Sequence, residues 1–187
     1  MTSFVGIDQS YSGCAIVYYT PRTVTSETLF SFAPEKAGTG PERLHYVYTT
    51  LHEHFVMLRD LAGDVGRICY EGYSYGSKFR REELGELGGV MKLALISAYR
   101  PSVLHVVAPT AVKKYATGSG RADKDRMLLA VYKRWGYEAS SHDAADAYTL
   151  AHIAAALDAD EPPETTFQTE VLNSIRNPKR SRAKKSA

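Results

Sequence analysis

Only two cysteines, Cys14 and Cys69, occur in 187 residues, and both sit inside apolar, strand-like runs. Two thiols in a chain this long build no disulfide framework, and buried cysteine is a common apolar filler. No stretch of 18 or more apolar residues exists, which excludes a transmembrane helix. The N-terminus has no basic segment followed by an apolar one, so no secretory signal is read there. A reducing cytoplasm fits these absences best. No internal repeat is present, and no Ser or Cys stands in an arrangement that would make it a nucleophile. Gly118-Ser119-Gly120-Arg121 is glycine-rich but lacks the Gly-Lys-Ser/Thr ending and the preceding strand of a phosphate loop.

Acidic residues are absent from Arg176 onward, while Arg176, Lys179, Arg180, Arg182, Lys184 and Lys185 all fall there. The other 17 basic residues face 21 acidic ones, so the net charge of +2 combines a body at net −4 with a polycationic end. Two readings of that end stand: a solvated tail without a partner, or a sequence-independent attraction to phosphate. A hydrophobic share of 44% supports a real core. The length fits one domain over residues 1–160, with an extension over 161–187 that ends in a basic, disordered tail.

Residues 3–8 and Cys14 to Tyr19 read as paired strands joined by Gln9-Ser10-Tyr11-Ser12-Gly13, which has hairpin chemistry. A third strand is expected from Val24 to Phe32. Pro41-Glu42 opens a helix that runs to about Leu61. Arg67-Ile68-Cys69-Tyr70-Glu71 is a fourth strand, followed by a loop to Lys78. A helix over 81–99 carries Gly85, Gly88 and Gly89, which lower its propensity but would let another backbone approach closely. A fifth strand spans Val103 to Val107. A short helix from Pro109, one from Ala122 to Trp135 and one from His142 to Leu157 follow. Strands first and then alternating elements give an α/β fold: a five-stranded mixed sheet with helices on both faces. Ligand sites on such sheets lie beyond the carboxyl ends of the strands. Asp8 and Glu71 end their strands at such a place if the two strands are adjacent and parallel.

An acid at the end of a buried strand is costly unless paired or metal-bound. Asp8 reads equally as a cap of the hairpin loop, and Glu71 as a strand-end charge that reaches water. Asp143 and Asp146 stand three apart, which puts them on one helical face among Ala144, Ala145 and Ala147, residues small enough for that face to press against a sheet. Helix-start chemistry, with Ser141 as N-cap, explains Asp143 but not Asp146. His142 is four residues from Asp146 and is an auxiliary candidate, as pairing partner or ligand. Four carboxylates without a Cys or His cluster select Mg²⁺ or Mn²⁺ over Zn²⁺. Two such ions can activate a water and stabilise a leaving oxygen in phosphodiester hydrolysis.

Gly6-Ile7-Asp8, the strand-end Glu71 and Asp143-Ala144-Ala145-Asp146-Ala147 resemble the RuvC-type Holliday junction resolvase family. The similarity extends to Pro109-Thr110-Ala111-Val112-Lys113 and to Asp123-Lys124, and it spans roughly residues 3–157. It implies an RNase H-like fold and a Mg²⁺-dependent endonuclease, with Mn²⁺ able to substitute, that resolves four-way DNA junctions as a homodimer. Asp8, Glu71, Asp143 and Asp146 would be metal-binding and catalytic, with Lys113 and Lys124 as cations near the scissile phosphate. The helix over 81–99 is the candidate dimer interface. The family follows its first Asp with Pro-Gly, where this chain has Gln9-Ser10. It also carries an aromatic wedge a few residues after its Glu, where this chain has Ser74 between Tyr73 and Tyr75; either tyrosine could stack on a base. Lys78, Arg80 and Arg81 fit phosphate contact, and equally an exposed first helical turn. The basic end points to a divergent or phage-borne member, in a bacterial cell or an infected host. Two other functions remain open: a broader RNase H-like nuclease acting on flaps, forks or RNA–DNA hybrids, and a junction binder that does not cut.

Overall fold

The computed structural model describes residues 2–21, 24–73, 81–99, 104–158 and 162–178. The elements in chain order are β1 (Ser3–Gln9), β2 (Gly13–Thr20), β3 (Val24–Ser31), α1 (Pro34–Ala37), α2 (Gly40–Ala62), β4 (Val65–Glu71) and α3 (Arg81–Ala98). After these come β5 (Leu104–Val107), α4 (Pro109–Thr117), α5 (Lys124–Trp135), α6 (His142–Leu157) and α7 (Thr166–Arg176).

The strands form one sheet in the order β3-β2-β1-β4-β5. β1 is antiparallel to β2, which is antiparallel to β3; β1 is parallel to β4, and β4 to β5. β1 sits in the middle, and its first six residues are all buried, as expected for a strand covered on both faces.

Alternation along the strands sorts the core into two halves. Val5, Ile7, Ile68 and Tyr70 pack with α2 and α3 through Leu51, Phe55, Met91 and Leu95. Phe4 and Cys69 face the other way, onto α4, α5, α6 and α7 through Val112, Met127, Ile153 and Leu172. The result is three layers, helix on sheet on helix. Cys14 and Cys69 are buried, free thiols. No helix among the described residues is long and apolar enough to cross a membrane.

α6 is the central helix, buried along nearly its whole length. Ser141 caps it, its side chain accepting from the Ala144 amide at 3.1 Å. Its contact with β1 is so close that a Cβ on Gly6 would lie 1.9 Å from the Ala147 carbonyl oxygen. Gly6 and the alanines of α6 therefore let a helix backbone rest directly on the central strand.

Several details differ from the sequence expectation, among them the start of β4 at Val65 rather than Arg67. α5 begins at Lys124 rather than Ala122, because Asp123 caps it by accepting from the Arg126 amide at 2.8 Å. β3 ends at Ser31, and β5 is described from Leu104, Val103 lying outside the described residues. The four-residue α1 was not read from the sequence. Nor was α7, which buries Gln168, Val171 and Leu172 and opens with a capping box between Thr165 and Gln168.

Candidate active site

Parallel pairing of β1 with β4 runs to Ile7 opposite Tyr70. The next residues on the two strands, Asp8 and Glu71, therefore emerge side by side. Alternation turns both toward α6, whose first turns carry Asp143 and Asp146. All four carboxylates line one cavity of about 340 Å³. Lys113 of α4 and Lys124, the first residue of α5, line it too, as do Tyr73 and His142. The cavity wall also includes Gln9, Ser10, Leu84, Pro109 and Met127, none of which sequence reasoning assigned as a site residue.

The acids stand close enough to perturb one another. Asp8 is buried, and its carboxyl is held well above the usual range by that burial, then by a hydrogen bond with Glu71 and by the charges of Glu71, Asp146 and Asp143. Asp146 is pushed up to about 7, chiefly by burial and next by Glu71. Lys113 and Lys124 pull it the other way, and Asp143 adds to the rise. Asp8 and Asp146 placed this way keep protons to higher pH than free carboxylates do, unless cations join them.

The donor set suits a hard cation. Asp8 Oδ1 and Asp146 Oδ1 are buried without a hydrogen-bond partner, an uncommon state for polar atoms in a folded protein. The nearby acids offer oxygen only, the chemistry preferred by Mg²⁺ and Mn²⁺. Among the described residues no group of three or more His, Cys, Asp or Glu side chains forms a ready metal cage. An open set of this kind fits Mg²⁺, which keeps several waters and is held by a few carboxylates with substrate phosphates.

His142 does not reach back to Asp146. Its Nε2 lies 3.3 Å from Asp125 Oδ1, tying the start of α6 to the start of α5. Tyr73 is held against α3: its hydroxyl donates to the Gly85 carbonyl at 3.4 Å, and Lys92 Nζ lies 5.3 Å from its ring centroid. Tyr75, Lys78 and Arg80 lie outside the described residues, as does the side chain of Arg81.

The sheet order, the helical layer on each face and the cavity beyond the strand ends define an RNase H-like α/β fold. No family model matches the chain. Among solved structures it is similar to RuvC of Thermus thermophilus in complex with a Holliday junction substrate, with a TM-score of 0.63 and 18% identity over 81% of this chain and 91% of that one. It is similar also to a second Thermus thermophilus RuvC structure, with a TM-score of 0.60 and 20% identity over 83% and 95% of the two chains. Likeness at this identity establishes the fold.

Proposed function

We propose that this protein is a divalent-metal-dependent endonuclease that cuts four-way DNA junctions by paired phosphodiester hydrolysis. The observation that carries this reading is the meeting of Asp8, Glu71, Asp143, Asp146, Lys113 and Lys124 in one cavity on an RNase H-like sheet. A RuvC structure with the same fold holds a Holliday junction, which supports the choice of substrate.

Asp8, Glu71, Asp143 and Asp146 would hold Mg²⁺ or Mn²⁺. Bound there, such ions supply an activated water and stabilise the leaving oxygen. Lys113 and Lys124, whose charges act on Asp146, offset negative charge that grows on the scissile phosphate. With its carboxyl pushed up to about 7, Asp146 is protonated in part at neutral pH, and a cation held there would favour its ionised form. Tyr73 or Tyr75 stacks on a base at the junction, and Lys78, Arg80 and Arg81 contact phosphates nearby.

Cutting two opposed strands needs two sites, hence a twofold dimer. α3 supports that role. A Cβ on Gly85 or Gly89 would meet nothing within 4 Å, and Leu93 and Ile96 on the same stripe are 51% and 39% exposed.

A panel of four-way junction, flap, fork, plain duplex and RNA–DNA hybrid, each incubated with Mg²⁺ and resolved on a denaturing gel, tests the reading. Symmetric nicks in the junction, with the other substrates cut at least about tenfold more slowly, are expected. Equal cutting of flap or hybrid would replace the resolvase reading with a broader nuclease. Tight junction binding without any cut would make the protein a binder.

A further inference from the structure

Asp8 and Glu71 present an assembly problem. Both pair outward, Asp8 with Ala15 of β2 and Glu71 with Val107 of β5, but they lie one residue past the last pair between β1 and β4, Ile7 with Tyr70. Across that seam the hydrogen bond between the two carboxyls competes with their like charge. A second tie across the same seam lies on the opposite face of the sheet. Each acid has a neighbour that alternation turns toward α3: Gln9 follows Asp8, and Tyr70 precedes Glu71. The Tyr70 hydroxyl donates to Gln9 Oε1. This bond crosses from β1 to β4 just where the backbone ladder stops.

The linkage is well seated. Tyr70 is fully buried, and its hydroxyl also lies 3.8 Å from Met91 Sδ on α3. A Cβ on Gly88 would fall 1.9 Å from the Tyr73 hydroxyl oxygen and 2.8 and 2.9 Å from Gln9 Oε1 and Nε2. Glycine at that place is what admits both side chains. Lys92 Nζ stands over both rings, 5.7 Å from the Tyr70 centroid and 5.3 Å from that of Tyr73. No residue of this group is a proposed cation ligand.

We infer that Gln9 and Tyr70 are positioning residues: their hydrogen bond, seated against Gly88 of α3, fixes the ends of β1 and β4 and so the carboxylates of Asp8 and Glu71, a role that rests on the nuclease reading proposed above. Gln9 then has a specific task at the place where the resembled family has proline.

The test uses the full-length protein and Mn²⁺ as the probe. Tyr70→Phe removes one hydroxyl and keeps the ring. It is expected to weaken Mn²⁺ binding to the DNA-free protein, read by electron paramagnetic resonance, about tenfold or more. It should also lower kcat on a junction about 10- to 100-fold with KM unchanged. Gln9→Met should do the same, and the double variant should be no worse than either single one, since both break one bond. Gly88→Ala should show the same loss, and adding Tyr73→Phe should recover part of it by vacating the colliding atom. A purely structural role would lower Tm while leaving the Mn²⁺ affinity of the folded protein unchanged. Wild-type Mn²⁺ affinity in folded Tyr70→Phe, or additive losses in the double variant, would overturn the inference. A wild-type protein that binds Mn²⁺ but cuts no DNA would overturn the nuclease reading instead, and the Mn²⁺ affinities would still decide whether this bond positions the acids.

Discussion

Burying Asp146 on an alanine-lined helix costs free energy that a neutral residue there would not. Its pKa near 7 stands above the ordinary carboxylate value of 3.8, so the folded state holds a proton that the unfolded chain releases. The sign follows from linkage: this contribution is fully present below about pH 4 and is lost as pH rises through about 7. In EDTA, Tm is therefore expected to fall over that interval more steeply than in Asp146→Asn. At pH 7 the variant should be more stable by on the order of 1–2 kcal/mol, since one pKa unit corresponds to about 1.4 kcal/mol and solvent in the cavity screens part of it. Thermal melts across pH with and without Mg²⁺ check this, and added Mg²⁺ should raise the wild-type Tm most above pH 7. Equal pH slopes for the two proteins would contradict it. The acids were legible in the sequence because each announces itself locally: Asp8 and Glu71 end apolar runs, and Asp143 and Asp146 keep helical spacing among alanines. The partners of Gln9 and His142 were not. Tyr70 lies 61 residues from Gln9, and Asp125 lies 17 from His142, so only the strand register and the packing of α5 on α6 reveal them.

At the scale of elements, the site depends on α6 lying flat on β1. Gly6→Ala drives a methyl group into the Ala147 carbonyl oxygen and the Ala151 amide nitrogen, 1.9 and 2.4 Å away. Neither backbone atom can swing aside. A loss of about 3 kcal/mol or more is expected in urea unfolding; a loss under about 1 kcal/mol would mean that the helix has room to move. On the far side of α4, α7 braces the helix that carries Lys113. Leu172 is 1% exposed in that contact, and Lys114 Nζ reaches Glu170 Oε2 at 2.6 Å on the surface. Leu172→Ala should cost about 2–5 kcal/mol, whereas Glu170→Ala should cost less than about 1 kcal/mol because the pair is largely exposed. The five strands and the five longer helices before residue 158 were readable from apolar periodicity and from glycine and proline breaks. α7 escaped because its apolar residues Phe167, Val171, Leu172 and Ile175 sit in a polar segment leading to the basic end. The Thr165-x-x-Gln168 capping signal was present there and marks the helix start.

For the whole molecule, the proposed function assigns contact with DNA to the charge distribution and contact with a second copy to the open stripe of α3. Arg176 belongs to the body, since its guanidinium donates to the carbonyls of Ala156 and Leu157 at 3.1 and 3.4 Å. A deletion that tests the tail should therefore begin at Lys179. Removing residues 179–187 takes away five cations. It should weaken junction binding and reduce the slope of log K against log salt by about 1–4; an unchanged slope would leave the tail without a phosphate role. Leu93→Glu, on the exposed stripe of α3, should convert a dimer to a monomer in light scattering and uncouple the two nicks. A variant that remains dimeric would move the interface elsewhere. The most direct measurement of the central claim compares wild type with Asp8→Asn, Glu71→Gln and Asp146→Asn on one labelled four-way junction in Mg²⁺. Cleavage is read on a denaturing gel and binding by gel shift. Each substitution is expected to lower the cleavage rate by at least about a thousandfold, the loss of several kcal/mol of transition-state stabilisation, with junction affinity kept within about threefold. Nicking retained by all three variants would contradict the proposed cavity as the seat of catalysis.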